Sequence, residues 1–174
     1  TRIGESCELL AAPPVRYVRI DTREGGQAAA WGEIEVLGGR LGEEIANLAV
    51  EPTTQTEVSS GPGTAFNLVD GDDNSTWTSE NDGRSIVTID LGESTRVESV
   101  RILAARDYGN QSAHFLYYGD GSGEFRFVRK LSGPITAGQW LEFAEGGTCQ
   151  PDGQCLGLPR CEDYFYQDND RVCD

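Results

Sequence analysis

Asn67-Leu-Val-Asp70-Gly-Asp72-Asp-Asn-Ser75-Thr-Trp77, followed by Val87-Thr-Ile-Asp90-Leu-Gly92 and Val97-Glu-Ser-Val100-Arg-Ile102, is the stretch on which the fold turns. A loop dense in carboxylates, then a tryptophan, then two runs rich in β-branched residues predict a cation-pinned loop seated on an antiparallel β-sandwich. Such a combination points to a binding module rather than an enzyme.

Working outward, Val15 to Ile20 and Glu33 to Leu37 are two more runs of strand composition, separated by the Gly- and Ala-rich stretch from Glu24 to Ala30, which reads as a loop. Gly38 to Gly42 reads as a connector. Leu48 to Val50 is expected to be a short strand, and the polar Thr/Ser/Gly/Pro segment that follows, as far as Gly63, a loop. Further strands are expected at Ile86 to Asp90, Val97 to Leu103, His114 to Tyr118, Glu124 to Leu131 and Gln139 to Phe143. Gly119-Asp-Gly-Ser-Gly123 is the turn of a hairpin. Helical periodicity is absent apart from a turn or two over Ala65 to Val69. Many short strands with Gly-rich turns give an all-β sandwich. From Thr148 the pattern dissolves into a Cys-rich irregular tail.

The 174 residues suffice for one domain and an appendage. Acidic residues outnumber basic ones 29 to 14, a net charge of -15. That charge repels nucleic acid and anionic membranes at long range, so neither is an expected partner. No apolar run approaches the roughly 20 residues that cross a bilayer, and Thr1 opens no targeting segment, so the chain reads as a soluble mature portion. Cys7, Cys149, Cys155, Cys161 and Cys173 all lie outside the β-rich middle, a distribution that suggests disulfides in an oxidising compartment. The sequons at Asn74 and Asn110 agree with a secreted or cell-surface location.

With these residues in view, Asn67 to Trp77, Thr88 to Gly92 and Arg96 to Ile102 resemble the discoidin, or coagulation-factor C-type, module. Its relatives include fucose-binding F-type lectins and bacterial carbohydrate-binding modules. The resemblance implies an antiparallel jelly-roll sandwich of the galactose-binding-like kind. Val15 to Ile20 and Trp31-Gly-Glu-Ile-Glu-Val-Leu-Gly38 resemble the same family, but there they form its closing strands. Two accounts fit that inverted order. Residues 1–38 end a preceding module and the next is truncated, or the domain is circularly permuted, with 1–38 completing a sandwich over 1–147 and 148–174 forming the tail. The second is the more economical, because nothing after Trp140 to Phe143 repeats Arg-Tyr-Val-Arg-Ile. Permutation is physically cheap where domain ends lie close together. It implies a Cys7–Cys149 disulfide across the reopened connection, although Cys7 could instead pair with Cys161 or Cys173, and five cysteines leave one over.

The resemblance also implies a structural calcium ion. Its expected ligands are the carbonyls of Asn67 and Asp72, the Asp70 side chain, Ser75, and Gly32 with Glu33 from the closing strand; a turn held by Asx hydrogen bonds, without metal, is the plainer reading of the same carboxylates. An EF-hand is excluded, because Ser75 and Asn81 stand where its glycine and glutamate belong. Relatives contact sugar hydroxyls through arginine and histidine, and here Arg106 is the counterpart, with Tyr108 beside it and Glu80, Asn81 and Asp82 in a neighbouring loop. The expected partner is a glycan or glycoprotein, with protein contacts in an extracellular assembly as the alternative. His114 is expected in the sandwich interior and Trp77 in the core. No nucleophile accompanies His114, and the cysteines lack zinc-site spacing, so no catalytic residue is assigned.

Overall fold

The computed structural model describes residues 14–39, 44–144, 148–149 and 155–156. Two long strands organise it. β1 (Val15–Gly39) and β4 (Trp77–Ala104) run against each other along nearly their whole length. As β1 advances from Tyr17 to Arg23, its partners retreat from Asp90 to Arg84. As it advances from Ile34 to Gly39, they retreat from Ile102 to Arg96. Both ladders are therefore antiparallel.

The remaining strands extend those two halves into two layers. β3 (Gln55–Val58) joins the Val87–Asp90 part of β4; β5 (Ala113–Gly119) joins the Tyr17–Arg23 part of β1, and β6 (Phe125–Ser132) joins β5. On the other layer, β2 (Ala46–Asn47) pairs with Leu37 and Gly38, and β7 (Trp140–Ala144) pairs with Ser99 to Leu103. The result is a β-sandwich.

Alternation along each strand builds the core. Val18, Ile20, Val87, Ile89 and Leu116 point inward from the first layer, and Ile34, Val36, Val100, Ile102, Leu141 and Phe143 meet them from the second. At the corner, where β1 passes between layers, Trp31 and Trp77 lie opposite one another and both are fully buried. Trp77 Nε1 donates to the Gly61 carbonyl at 3.0 Å. Gly61 has φ of 66°, and a Cβ there would lie 2.5 Å from the Thr78 carbonyl oxygen, so the position requires glycine.

Some elements differ from the sequence expectations. Leu48–Val50 is a 3-10 turn, not a strand, because the Asn47 side chain accepts from the Ala49 N–H and starts a turn. Strand β3 lies inside the polar segment read as loop, and the 3-10 turn beyond it spans Pro62–Leu68. The Glu24–Ala30 stretch is part of β1. The compact unit ends at Ala144; residues 145–174 form a second unit, in which β8 (Thr148–Cys149) pairs antiparallel with β9 (Cys155–Leu156). Cys149 and Cys155 are opposite in that ladder, while Cys7 lies outside the described residues.

Candidate functional site

Three oxygens expected around a cation are gathered by one residue. Ser75 Oγ lies 3.0 Å from the Asn67 carbonyl and 3.1 Å from Asp70 Oδ1, and the Ser75 N–H donates to the Asp72 carbonyl at 3.0 Å. Asp70 Oδ1 also accepts from the Asp72 N–H, and Asp72 Oδ1 accepts from both nitrogens of Asn74. Such Asx contacts fold the loop without help. They do not account for Glu33.

Glu33 projects from β1 beneath this loop, 1 % exposed, and its Oε2 accepts from the Gly71 N–H at 3.2 Å. Its Oε1 is buried and meets no donor. Burial pushes the carboxyl up to about 8; the Gly71 N–H opposes this, and the charges of Asp70 and Asp73 add to it. A buried carboxylate facing other carboxylates is costly unless it holds a proton or meets a cation. Among the described residues, no three Asp, Glu, His or Cys side chains form a ready metal cluster. A cation would therefore rest on the Glu33 and Asp70 carboxylates with the carbonyls of Asn67 and Asp72 and Ser75 completing the shell, a mixed oxygen set that suits calcium. Gly32 is packed so closely on Leu103 that a Cβ would stand 2.9 Å from Cδ2.

A second constellation forms where three segments converge. The Glu24–Ala30 part of β1 lies beside residues 78–84, through the Ala28–Asp82 and Ala30–Thr78 pairings, and beside residues 105–112, through Gly25 against Gln111. Arg106 lies at the junction. Its Nη2 is 2.9 Å from Glu24 Oε2, its Nη1 donates to the Gln27 amide oxygen, and its guanidinium lies 4.5 Å above the Tyr108 ring. Yet Arg106 Nε and Nη2 and Glu24 Oε1 make no hydrogen bond of good geometry. Burial raises the Glu24 carboxyl against the pull of Arg106.

Beneath lies an aromatic floor. Trp31 stacks on Tyr108 at 4.7 Å, and His114 meets both edge-on at 4.9 Å. The Tyr108 hydroxyl accepts from the Ala30 N–H and donates to the Ala30 carbonyl. At 2 % exposure Tyr108 offers no ring to a ligand, contrary to the sequence expectation; it supports Arg106 from below. His114 is interior as expected, with Nδ1 3.3 Å from Thr22 Oγ1, and burial lowers it to about 4.

The F5/8 type C family model matches residues 52–143. The chain belongs to this family. No curated protein and no solved structure matches it. F5/8 type C domains are non-catalytic binding modules that commonly take carbohydrates or proteins, and they typically occur in extracellular or cell-surface proteins. In this F5/8 type C domain the matched residues include the acidic loop, Trp77 and Arg106 but none of β1. β1 nonetheless supplies a carboxylate to each constellation, Glu33 to one and Glu24 to the other.

The structure thus brings Glu33 to Asp70; Glu80, Asn81 and Asp82, expected in a loop, instead belong to β4 because residues 78–82 pair with Ala28 and Ala30 of β1, and the Glu80 N–H donates to Ser60 Oγ. The side chains of Asn81 and Asp82 lie outside those described. Glu24 and Gln27 escaped the sequence reading. Their only signal was a polar pair inside an otherwise small-residue stretch.

Proposed function

We propose that this domain is an extracellular glycan-binding module whose sugar-contacting surface is the Arg106–Glu24 cluster. One observation supports this above the others: a guanidinium and a carboxylate are held side by side beneath the exposed Gln27, with buried donor and acceptor atoms that find no hydrogen-bond partner within the chain. Sugar hydroxyls donate and accept at once, so a paired cation and anion suit them better than either alone. Gln27, an exposed amide over Arg106, is a group that a hydroxyl could replace. Glu80 and its neighbours Asn81 and Asp82 border the same junction.

Calcium belongs to this reading as a structural ion. Glu33, Asp70, Asn67, Asp72 and Ser75 would hold it, and its charge would neutralise the buried Glu33 and fix the loop. The closing position of β1 is read as circular permutation of the family order, with residues 1–38 completing the sandwich.

A glycan array probed with and without chelator, using the native chain and Arg106→Gln, tests the proposal. The expected result is sugar binding that weakens on chelation and is lost in the variant. An array blank under both conditions, with covalent dimers on a non-reducing gel, would favour the second reading, a protein-contacting adhesion module. That alternative draws on Phe66, 72 % exposed immediately before the acidic loop, and on Val50, exposed beside Gly71.

A further inference from the structure

We infer that the outer face of the β4–β1–β5–β6 layer is a second binding surface, separate from the loop cluster, for an anionic polysaccharide bearing carboxylate or sulfate groups. The outward positions follow from register. Arg23 pairs with Arg84 on β4, Asp21 with Phe115 on β5, Phe115 with Lys130 on β6, and Arg19 with Thr88 and Tyr117. Cations dominate this face. Arg16, Arg19, Arg23, Arg84 and Lys130 stand against the three carboxylates Asp21, Glu57 and Asp90, in a chain whose net charge is -15.

The cations are held in place rather than waving in solvent. Asp21, 2 % exposed, accepts from Arg84 Nε and Nη2 at 3.0 and 2.9 Å and from Arg23 Nη2 at 3.1 Å, so one buried carboxylate orders two guanidiniums. Those arginine side chains remain 60 % and 51 % exposed. One negative charge between two positive ones leaves a surplus positive charge facing outward. Arg23 also lies 4.5 Å over the Phe115 ring, with Lys130 5.6 Å from the same ring. Arg19 rests 3.5 Å over Phe125 and is fixed by Thr88 Oγ1 at 3.2 Å. Among the described residues no ion pair engages Arg19 or Lys130.

This arrangement selects among polyanions. Positions 16, 19 and 23 place guanidiniums along one strand over about 20 Å, which matches an extended chain with charges at intervals. Cations lie over the Tyr17, Phe115 and Phe125 rings, and Tyr117 and Phe127 meet edge-on, so the face offers bases few open rings to stack on, which disfavours single-stranded nucleic acid. What stays open is the edge of each fork, which suits planar carboxylate and sulfate oxygens. The overall negative charge acts beyond a Debye length of about 10 Å, whereas contact with the face is governed by the local surplus.

The test is calorimetric titration of the full chain with polygalacturonate, dextran sulfate, neutral dextran and oligothymidylate, over a salt series and with EDTA. Binding to polygalacturonate or dextran sulfate is expected, distinguishing carboxylate from sulfate recognition, and it should weaken steeply with salt and ignore EDTA. Arg19→Gln with Lys130→Gln should weaken it at least about tenfold, as loss of two contacts to a polyanion requires, while Arg106→Gln leaves it unchanged. If the double variant does not fold, Lys130→Glu alone, on the exposed edge strand, should show the same direction. Failure of both polysaccharides to bind at low salt, binding unmoved by these changes, or equal binding of oligothymidylate would overturn the inference. None of these outcomes bears on the glycan array result, so this surface and the Arg106–Glu24 reading can fail separately.

Discussion

Tyr108 and Glu33 show how single side chains set the two constellations. The Tyr108 hydroxyl accepts from the Ala30 N–H in a buried site and shares the Ala30 carbonyl with the Ala105 N–H, so Tyr108→Phe strands the Ala30 N–H without solvent while the carbonyl keeps one donor. Chemical denaturation should show a loss of about 1–3 kcal/mol with unchanged slope. Glu33 determines a pH effect. Its proton is held to about pH 8 in the fold, against an ordinary 4.5, so between those values the folded chain binds more protons than the unfolded one. Without calcium, the Glu33 contribution to stability is then fully present below pH 4.5 and is lost as pH rises toward 8. His114 acts oppositely: held near 4 instead of 6.5, it makes stability rise with pH over that lower window. Above pH 6.5 only the Glu33 effect of these two persists. Melting temperatures in EDTA should therefore fall from pH 6.5 to 8, excess calcium should remove the fall, and Glu33→Gln should abolish both the slope and the calcium response. A native profile in EDTA that stays flat or climbs over that window would contradict the assignment.

Elements owe their placement to close approach as much as to hydrophobic pattern. At Gly38, where β1 passes Arg96 of β4, an added Cβ would lie 2.1 Å from the Arg96 carbonyl oxygen. Backbone must move to admit it, so Gly38→Ala should cost about 1–3 kcal/mol or prevent folding. Gly63→Ala meets nothing within 4 Å and should be nearly neutral in the same thermal melts. This contrast also explains what the sequence could carry. Strands burying every second residue, such as Ile86 to Asp90 and His114 to Tyr118, were legible because one face feeds the core. β3 was not, since Gln55–Val58 is polar and rests on a single neighbour, β4. Leu48–Val50 misled because its aliphatic composition concealed a cap from Asn47. Glu33 was reachable through family resemblance, whereas Glu24 and Gln27 acquire meaning only when β1 turns the corner beside Arg106.

At the scale of the whole molecule, chain order and spatial order can be separated. Val15 pairs with Thr95 and Ala144 with Ser99, so the first and last described strands of the sandwich, β1 and β7, begin and end beside β4 at positions four residues apart. Four strand positions amount to about 13 Å, which a short flexible linker spans easily. The contacts that close the sandwich, from Ile34 on Ile102 to Glu33 on Gly71, do not depend on which segment comes first. If the order is a permutation of the family's, a chain carrying residues 44–144, a Gly-Ser linker and then residues 14–39 should fold to the same circular dichroism spectrum. It should melt within a few degrees of the native unit and keep its calcium response, because the linker replaces a connection whose closure entropy grows only slowly with length. An unfolded product, or a folded one deaf to calcium, would mean that β1 must enter first to form the core, and the permutation account would fall.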